Sequence, residues 1–126
     1  MRVLLFGTFD DLHPGHLFVL HEAAKRGEVS VVVARDQNVL RFKGLPPLHG
    51  EEVRIRAVTE AFPGATVMLG DENDFLAPVR CVHPDLILLG YDQQLPPGVR
   101  DSDFPCPVER LPAFEPEKHK SSLRRR

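Results

Sequence analysis

Val3-Leu4-Leu5-Phe6-Gly7-Thr8-Phe9-Asp10-Asp11-Leu12-His13-Pro14-Gly15-His16 joins an apolar run, a glycine break and a histidine-bearing segment that leads into a helical repeat. Val3 to Phe6 shows no polar alternation, the mark of a strand buried on both faces. From Pro14 to Arg26, Leu17, Leu20, Ala23 and Ala24 recur at helical spacing; Pro14 suits a first turn and Gly27 an end. Val29 to Val33 is a β-branched run, a second strand. Strand, helix and strand in this order imply a parallel, right-handed crossover.

Further along, Asp36 to Phe42 reads as a weak helix. Glu51 to Phe62 reads as a better one, with Val53, Ala57, Val58 and Ala61 on its apolar face and Pro63-Gly64 as its stop. Thr66 to Leu69 is a third strand, Phe75 to Val82 a helix, Leu86 to Leu89 a fourth strand and Val108 to Leu111 a fifth. Leu95 to Pro107 is rich in proline and aspartate, which predicts an ordered loop or a mobile segment instead of a long helix. The expected fold is α/β: a single Rossmann-like, doubly wound, parallel five-stranded sheet over 1–126, with a flexible basic tail at about 118–126. Ligands of such sheets collect beyond the carboxyl ends of the strands, which directs attention to Gly7–His16 and Gly90–Gln93.

A chain of 126 residues with 42% hydrophobic residues supplies a core without disulfides or a structural metal. The net charge of -2 gives no basic field for a nucleic-acid backbone. No apolar run approaches the roughly 20 residues of a membrane span, and the start is too short for a signal segment, so a cytoplasmic location is expected. Cys81 and Cys106 have no metal-ligand spacing and read as free thiols, with a redox-sensitive Cys106 between two prolines as the alternative.

The loop before the first helix is built to receive an anion. A helix N-terminus presents unpaired N–H groups and a partial positive charge, and glycine lets a phosphate approach the backbone. His13 and His16, three apart, fall on one face and can donate to the same phosphate. Zinc competes for this spacing but needs a further ligand, and the histidines at 21, 49, 83 and 119 offer no ligand pattern. Taken singly, Gly7 ending a strand and His13 capping a helix need no function.

Together, Gly7-Thr8-Phe9-Asp10 and His13-Pro14-Gly15-His16 resemble the signature of the HxGH cytidylyltransferase-like nucleotidyltransferases. Lys43, Glu51-Glu52-Val53-Arg54, Gly90-Tyr91-Asp92-Gln93 and Lys120-Ser121-Ser122 follow in the family's order. Ala34-Arg35-Asp36, the Gly90 segment and the Lys-Ser-Ser ending most resemble the archaeal-type FAD synthases, which transfer AMP from ATP to FMN. A cytidylyltransferase making a CDP-alcohol such as CDP-glycerol from CTP is the enzymatic alternative. A nucleotide-binding regulatory module without turnover is the alternative from another class.

The resemblance implies that His13 and His16 contact the nucleotide phosphates, that Lys43, in a loop before the Glu51 helix, closes over them, and that Arg54 makes a phosphate contact. The alternatives are an exposed lysine and a solvated arginine. It further implies a nucleotide site made of Gly7, Thr8, Phe9, Asp10, His13, Gly15, His16, Gly90, Tyr91, Asp92, Ser121 and Ser122, magnesium carried by the triphosphate with no protein metal site, and a homodimer. Only Leu123 and three arginines follow Ser122, where relatives continue further. An acceptor phosphate monoester is already anionic near neutral pH and needs no dedicated base. FMN would need an apolar slot, for which Phe9, Leu12, Phe42, Leu45 and Tyr91 are candidates.

Overall fold

The structure, a computed structural model, describes residues 1–91 and 93–113. Asp92, the basic tail and the Ser121-Ser122 pair lie outside the described residues. The elements are β1 (Arg2–Gly7), α1 (Pro14–Arg26), β2 (Glu28–Val33), α2 (Asp36–Lys43), α3 (Glu51–Ala61), β3 (Thr66–Leu69), α4 (Ala77–Val82), β4 (Leu86–Leu89) and β5 (Val108–Arg110), with a short 3₁₀ turn at Asp101–Asp103. Every strand pairing is parallel and the order is β3-β2-β1-β4-β5. The expected five-stranded doubly wound sheet is therefore the fold.

The order explains where a ligand can enter. The chain steps outward from β1 through β2 to β3, then returns to lay β4 on the other side of β1. Connections leave β1 and β4 in opposite directions, and a crevice opens beyond their carboxyl ends.

Alternation along the strands builds a core on each face. Val3, Leu5, Val29, Val31, Val33 and Leu88 pack with Leu20 and Ala23 of α1 and Val58 of α3. Leu4, Phe6, Val32, Ile87 and Leu89 face the opposite way, onto Val79 of α4 and Phe104. The proline-rich connection after β4 is thus anchored: Leu95, Val99 and Cys106 pack against the second core, although only the 3₁₀ turn is helical. No helix among the described residues is long and apolar enough to cross a membrane.

One expected face is half right: Val58 is fully buried and Ala57 half-buried, but the rest of the face is not. On α3, Val53 is 49% exposed and Ala61 is exposed, whereas Arg54 is fully buried. A helix turns about 100° per residue, so burying Arg54 and Val58, four apart, rotates Val53 outward. Hydrophobicity alone chose the wrong residue because the buried position is filled by an arginine whose polar groups all find partners inside the fold.

This rotation has a measurable consequence. Val53→Ser should change the unfolding free energy by no more than about 0.5 kcal/mol, as for an ordinary surface substitution. Leu88→Ala, in the centre of the sheet, should cost about 2–5 kcal/mol. Urea titration of the two variants checks both values.

Candidate functional site

Beyond the carboxyl ends of β1 and β4 lies a cleft of about 1030 Å³. Such a volume is at the upper end for small-molecule sites and suits two substrates side by side. Its centre holds Gly7, Thr8, Phe9, Asp10, His13, Gly15 and His16; Lys43 also lines it. One arm runs past β2 and β3 along Val32, Asn38, Phe42, Asp71 and Phe75. The other runs past β4 along Gly90, Tyr91, Gln93, Leu95 and Pro96.

The central loop folds sharply. Phe9 sits at φ 53°, in the left-handed region, which lays its ring over Gly7 and within 5.3 Å, centroid to centroid, of the His16 ring. A β-carbon at Gly7 would come within 2.6 Å of the Phe9 ring, so the pair Gly7-Phe9 forms a single tight turn. At Gly90 a β-carbon would meet nothing closer than 3.9 Å, so the protein itself leaves that space open to the cleft.

His13 is the N-cap of α1, its Nδ1 accepting the Gly15 N–H at 3.1 Å. A nitrogen that accepts carries no proton, so the hydrogen of the neutral ring sits on Nε2, the other edge. His16 stacks on His13 with centroids 3.8 Å apart and ring planes 21° from parallel. Its Nδ1 is buried without a hydrogen-bond partner. Burial, reinforced by the neighbouring His13, pushes the His16 pKa below the ordinary imidazole value. His16 is therefore a neutral ring at physiological pH in the free protein.

Asp10 lines the cleft with its carboxylate engaged inside the loop. Its two carboxylate oxygens accept the backbone N–H groups of Leu48 and His49 at 2.7 and 2.8 Å. Burial raises its pKa, but those two donors, assisted by His49 and Arg54, outweigh burial and hold the carboxyl below its usual range. Arg54 does not line the cleft: it lines a separate cavity of about 130 Å³ beneath the loop. Its Nε donates to the His49 carbonyl at 2.9 Å, Nη1 to the Thr8 carbonyl at 2.8 Å and Nη2 to Asp36 Oδ1 at 2.7 Å. The phosphate contact expected of Arg54 is not made available by this geometry. The side chain instead ties the loop after β1 to α2 and to the segment before α3.

Other expectations also shift. Lys43 is the last residue of α2, not a loop residue. Of the five side chains expected to form an apolar slot, Phe9, Phe42 and Tyr91 line the cleft, Leu12 packs against the core and Leu45 is 70% exposed outside it. Burial, with help from the Asp85 carboxylate, pushes the Cys106 thiol up, which disfavours the reactive thiolate.

Two contributors, Asn38 and Arg110, escaped the sequence reading, and a third, Gln93, was named there only as part of the Gly90–Gln93 segment. Gln93 Nε2 donates to the Phe6 carbonyl at 2.7 Å, and its Oε1 accepts the Gly90 N–H at 3.1 Å. One amide thus bridges β1 and β4 where they part. Arg110 of β5 donates through Nη1 to the carbonyls of Gly90 and Gln93. Asn38 donates to the Asp71 carbonyl at 3.1 Å. Asn38 follows and Gln93 ends a segment already singled out, but Arg110 carries no local signal because its partners lie 17 and 20 residues away.

Two measurements follow from these contacts. Arg54→Lys should destabilise the chain by about 2 kcal/mol or more, because one ammonium cannot reproduce three divergent bonds from a buried fork. Thermal or urea unfolding reads that loss. The second concerns His16: its folded pKa lies below its unfolded value, so the unfolded state binds more protons. Its contribution to stability is then full above about pH 6.5 and is lost as pH falls through the depressed folded value. The drop in stability between about pH 7 and pH 5 should be smaller in His16→Gln, measured by unfolding at each pH.

Comparison with known proteins gives the family. The family model described as "Cytidylyltransferase-like" matches residues 4–103. A FAD synthase from Methanosphaerula palustris is 45% identical over 100 residues, covering 78% of this chain and 63% of that protein. This chain thus spans less than two thirds of that relative's length. A FAD synthase from Natronomonas pharaonis is 41% identical over 118 residues, covering 89% of this chain and 83% of that protein. Among solved structures, one titled as the lipopolysaccharide core biosynthesis protein of Thermoplasma volcanium superposes with a TM-score of 0.81 at 35% identity, covering 91% of this chain and 98% of its own. With the signature loop, the paired histidines and the switch-point cleft all within the matched span, the chain belongs to the cytidylyltransferase-like family.

Proposed function

We propose that this protein is a nucleotidyltransferase that transfers AMP from ATP to FMN, giving FAD and pyrophosphate. The observation that carries the reading is the stacked His13–His16 pair at the N-terminus of α1, set between the two arms of one cleft. A triphosphate sits at the histidines, its base towards Gly90 and Tyr91, and the acceptor occupies the arm past β2 and β3. The FAD synthase relatives support adenine and flavin over the CTP-based alternative.

The chemistry asks little of a base. An FMN phosphate oxygen, ionised above its second pKa of about 6, attacks the α-phosphorus. The new P–O bond forms as the bond from the α-phosphorus to the bridging oxygen breaks, and pyrophosphate carries away the electron pair. No proton must be removed from the nucleophile. Catalysis then consists of alignment and stabilisation of charge on the α-phosphate. His13 offers its Nε2–H, fixed by the capping bond to Gly15. His16 supplies a second donor and gains a proton readily once an anion offsets the burial that disfavours its charged form. The helix N-terminus adds partial positive charge, and Lys43, at the rim of the cleft, adds a full one.

Magnesium accompanies the triphosphate. The donor set fits that role: Asp10 has both oxygens engaged by backbone N–H groups, and among the described residues no group of three His, Cys, Asp or Glu converges as a cage. When bound, the ion neutralises phosphate charge, with Asp11 at the cleft as the available carboxylate. We further place the working enzyme in the cytoplasm and as a homodimer, with no nucleic-acid or membrane partner.

The test is direct. Incubation with magnesium, FMN and either ATP or CTP, followed by chromatography and mass detection, should yield FAD with ATP alone. His16→Ala should lower kcat by about a hundredfold, the usual loss for one transition-state donor, while the fold is retained. CDP-linked product from an alcohol phosphate and CTP, with no flavin product, would replace this reading by the cytidylyltransferase one. Tight ATP binding without pyrophosphate release would mark a regulatory module.

A further inference from the structure

Two side-chain polar atoms among the described residues are buried without a hydrogen-bond partner, His16 Nδ1 and Asn38 Oδ1. Native folds rarely leave such groups unmet, and when they do a ligand or water is a common reason. His16 belongs to the catalytic centre already described. Asn38 lies on α2, one turn before Phe42, in the arm that receives the acceptor.

The orientation of its amide is fixed by a neighbour. Nδ2 donates to the Asp71 carbonyl at 3.1 Å; the flipped amide would set oxygen against oxygen. One N–H is thereby used; with the N–H trans to the carbonyl given to Asp71, Oδ1 and the second N–H stand side by side. An acceptor beside a donor is the complement of a ring edge that presents N–H next to C=O. Oxidised flavin carries such an imide edge on its pyrimidine ring, and cytosine carries none. Around Asn38 the arm is apolar and aromatic: Val32, Val39, Phe42 and Phe75 line it. That combination of a broad apolar wall and one polar amide is how flat heterocycles are held and oriented.

We propose that Asn38 is a specificity-determining residue that reads the imide edge of the flavin acceptor, Oδ1 accepting from the ring N–H and Nδ2–H donating to the adjacent ring carbonyl. This assignment rests on the flavin reading of the cleft. It goes beyond that reading in naming the side chain that distinguishes a flavin phosphate from other phosphate monoesters.

The experiment titrates FMN and its N3-methyl analogue against the full chain by flavin fluorescence, for the unaltered protein and for Asn38→Ala. The unaltered protein should bind the N3-methyl analogue about tenfold or more weaker than FMN, the size expected when one hydrogen-bonding group is left unmet. In Asn38→Ala that preference should vanish, FMN itself weakening by a similar factor. Equal binding of both flavins by the unaltered protein overturns the assignment without any variant having to fold. A preference that persists in Asn38→Ala also overturns it, by placing the imide against another group. Loss of ATP affinity with unchanged FMN affinity overturns it too, since an amide can equally pair with adenine. Failure of the unaltered protein to bind FMN at all, with product formed from CTP, removes the underlying reading and this assignment together.

Discussion

The Arg54 guanidinium holds the active centre in one arrangement. It is fully buried, permanently charged, and forks to three separate segments: Thr8 after β1, Asp36 at the start of α2 and His49 before α3. Its ion-pair partner, Asp36, has a side chain 46% exposed, so the pair is incompletely enclosed. Burying a charge is expensive, and a pair of this kind offers little net stability over a hydrophobic replacement. The benefit lies in geometry. Asp10 latches the same loop to Leu48 and His49, while Glu51 at the head of α3 accepts the Asp36 N–H at 2.8 Å. The first loop, α2 and α3 are thus held through polar contacts that an apolar side chain at 54 would not make.

That rigidity sustains a strained centre. A non-glycine residue in the left-handed region costs about 1–2 kcal/mol, and Phe9 is kept there with its ring against Gly7. The ring in turn packs beside His16, whose burial disfavours its charged form and leaves Nδ1 unmet. Each of these features lowers the stability of the protein. A site whose donors are already oriented needs little rearrangement during the reaction, which is the physical basis of electrostatic catalysis.

Much of this was legible in the sequence. The apolar runs Val3–Phe6, Val29–Val33 and Leu86–Leu89, with a proline-started helix between the first two, specify a parallel sheet because each strand is buried on both faces. The loop that lines the cleft was legible too, since Gly7 and His13 to His16 stand at a strand end and a helix start. What escaped depends on partners remote in sequence. The apolar face of α3 was misread because Arg54 counts as polar until its three acceptors are known. Arg110 looks like any charged residue on a short edge strand until the fold brings it beside Gly90. Asn38 became informative only through an atom that makes no bond, a property with no sequence signature.

The same logic narrows the origin of base selectivity. Gly90 ends β4 where a nucleobase is expected, and its backbone groups are the natural first choice for reading it. Both are already committed: the N–H to Gln93 Oε1, and the carbonyl to the Gln93 N–H at 3.2 Å and to Arg110 at 2.9 Å. A carbonyl oxygen offers two lone pairs, and two donors fill them. Gly90 therefore shapes the cleft by lacking a side chain, and its backbone groups are already spent within the protein. Arg110 also grips the Gln93 carbonyl at 2.6 Å, so the edge strand β5 fixes where that connection begins. Two members of this family with nearly identical phosphate loops can then differ in nucleotide choice through the path of the chain after β4.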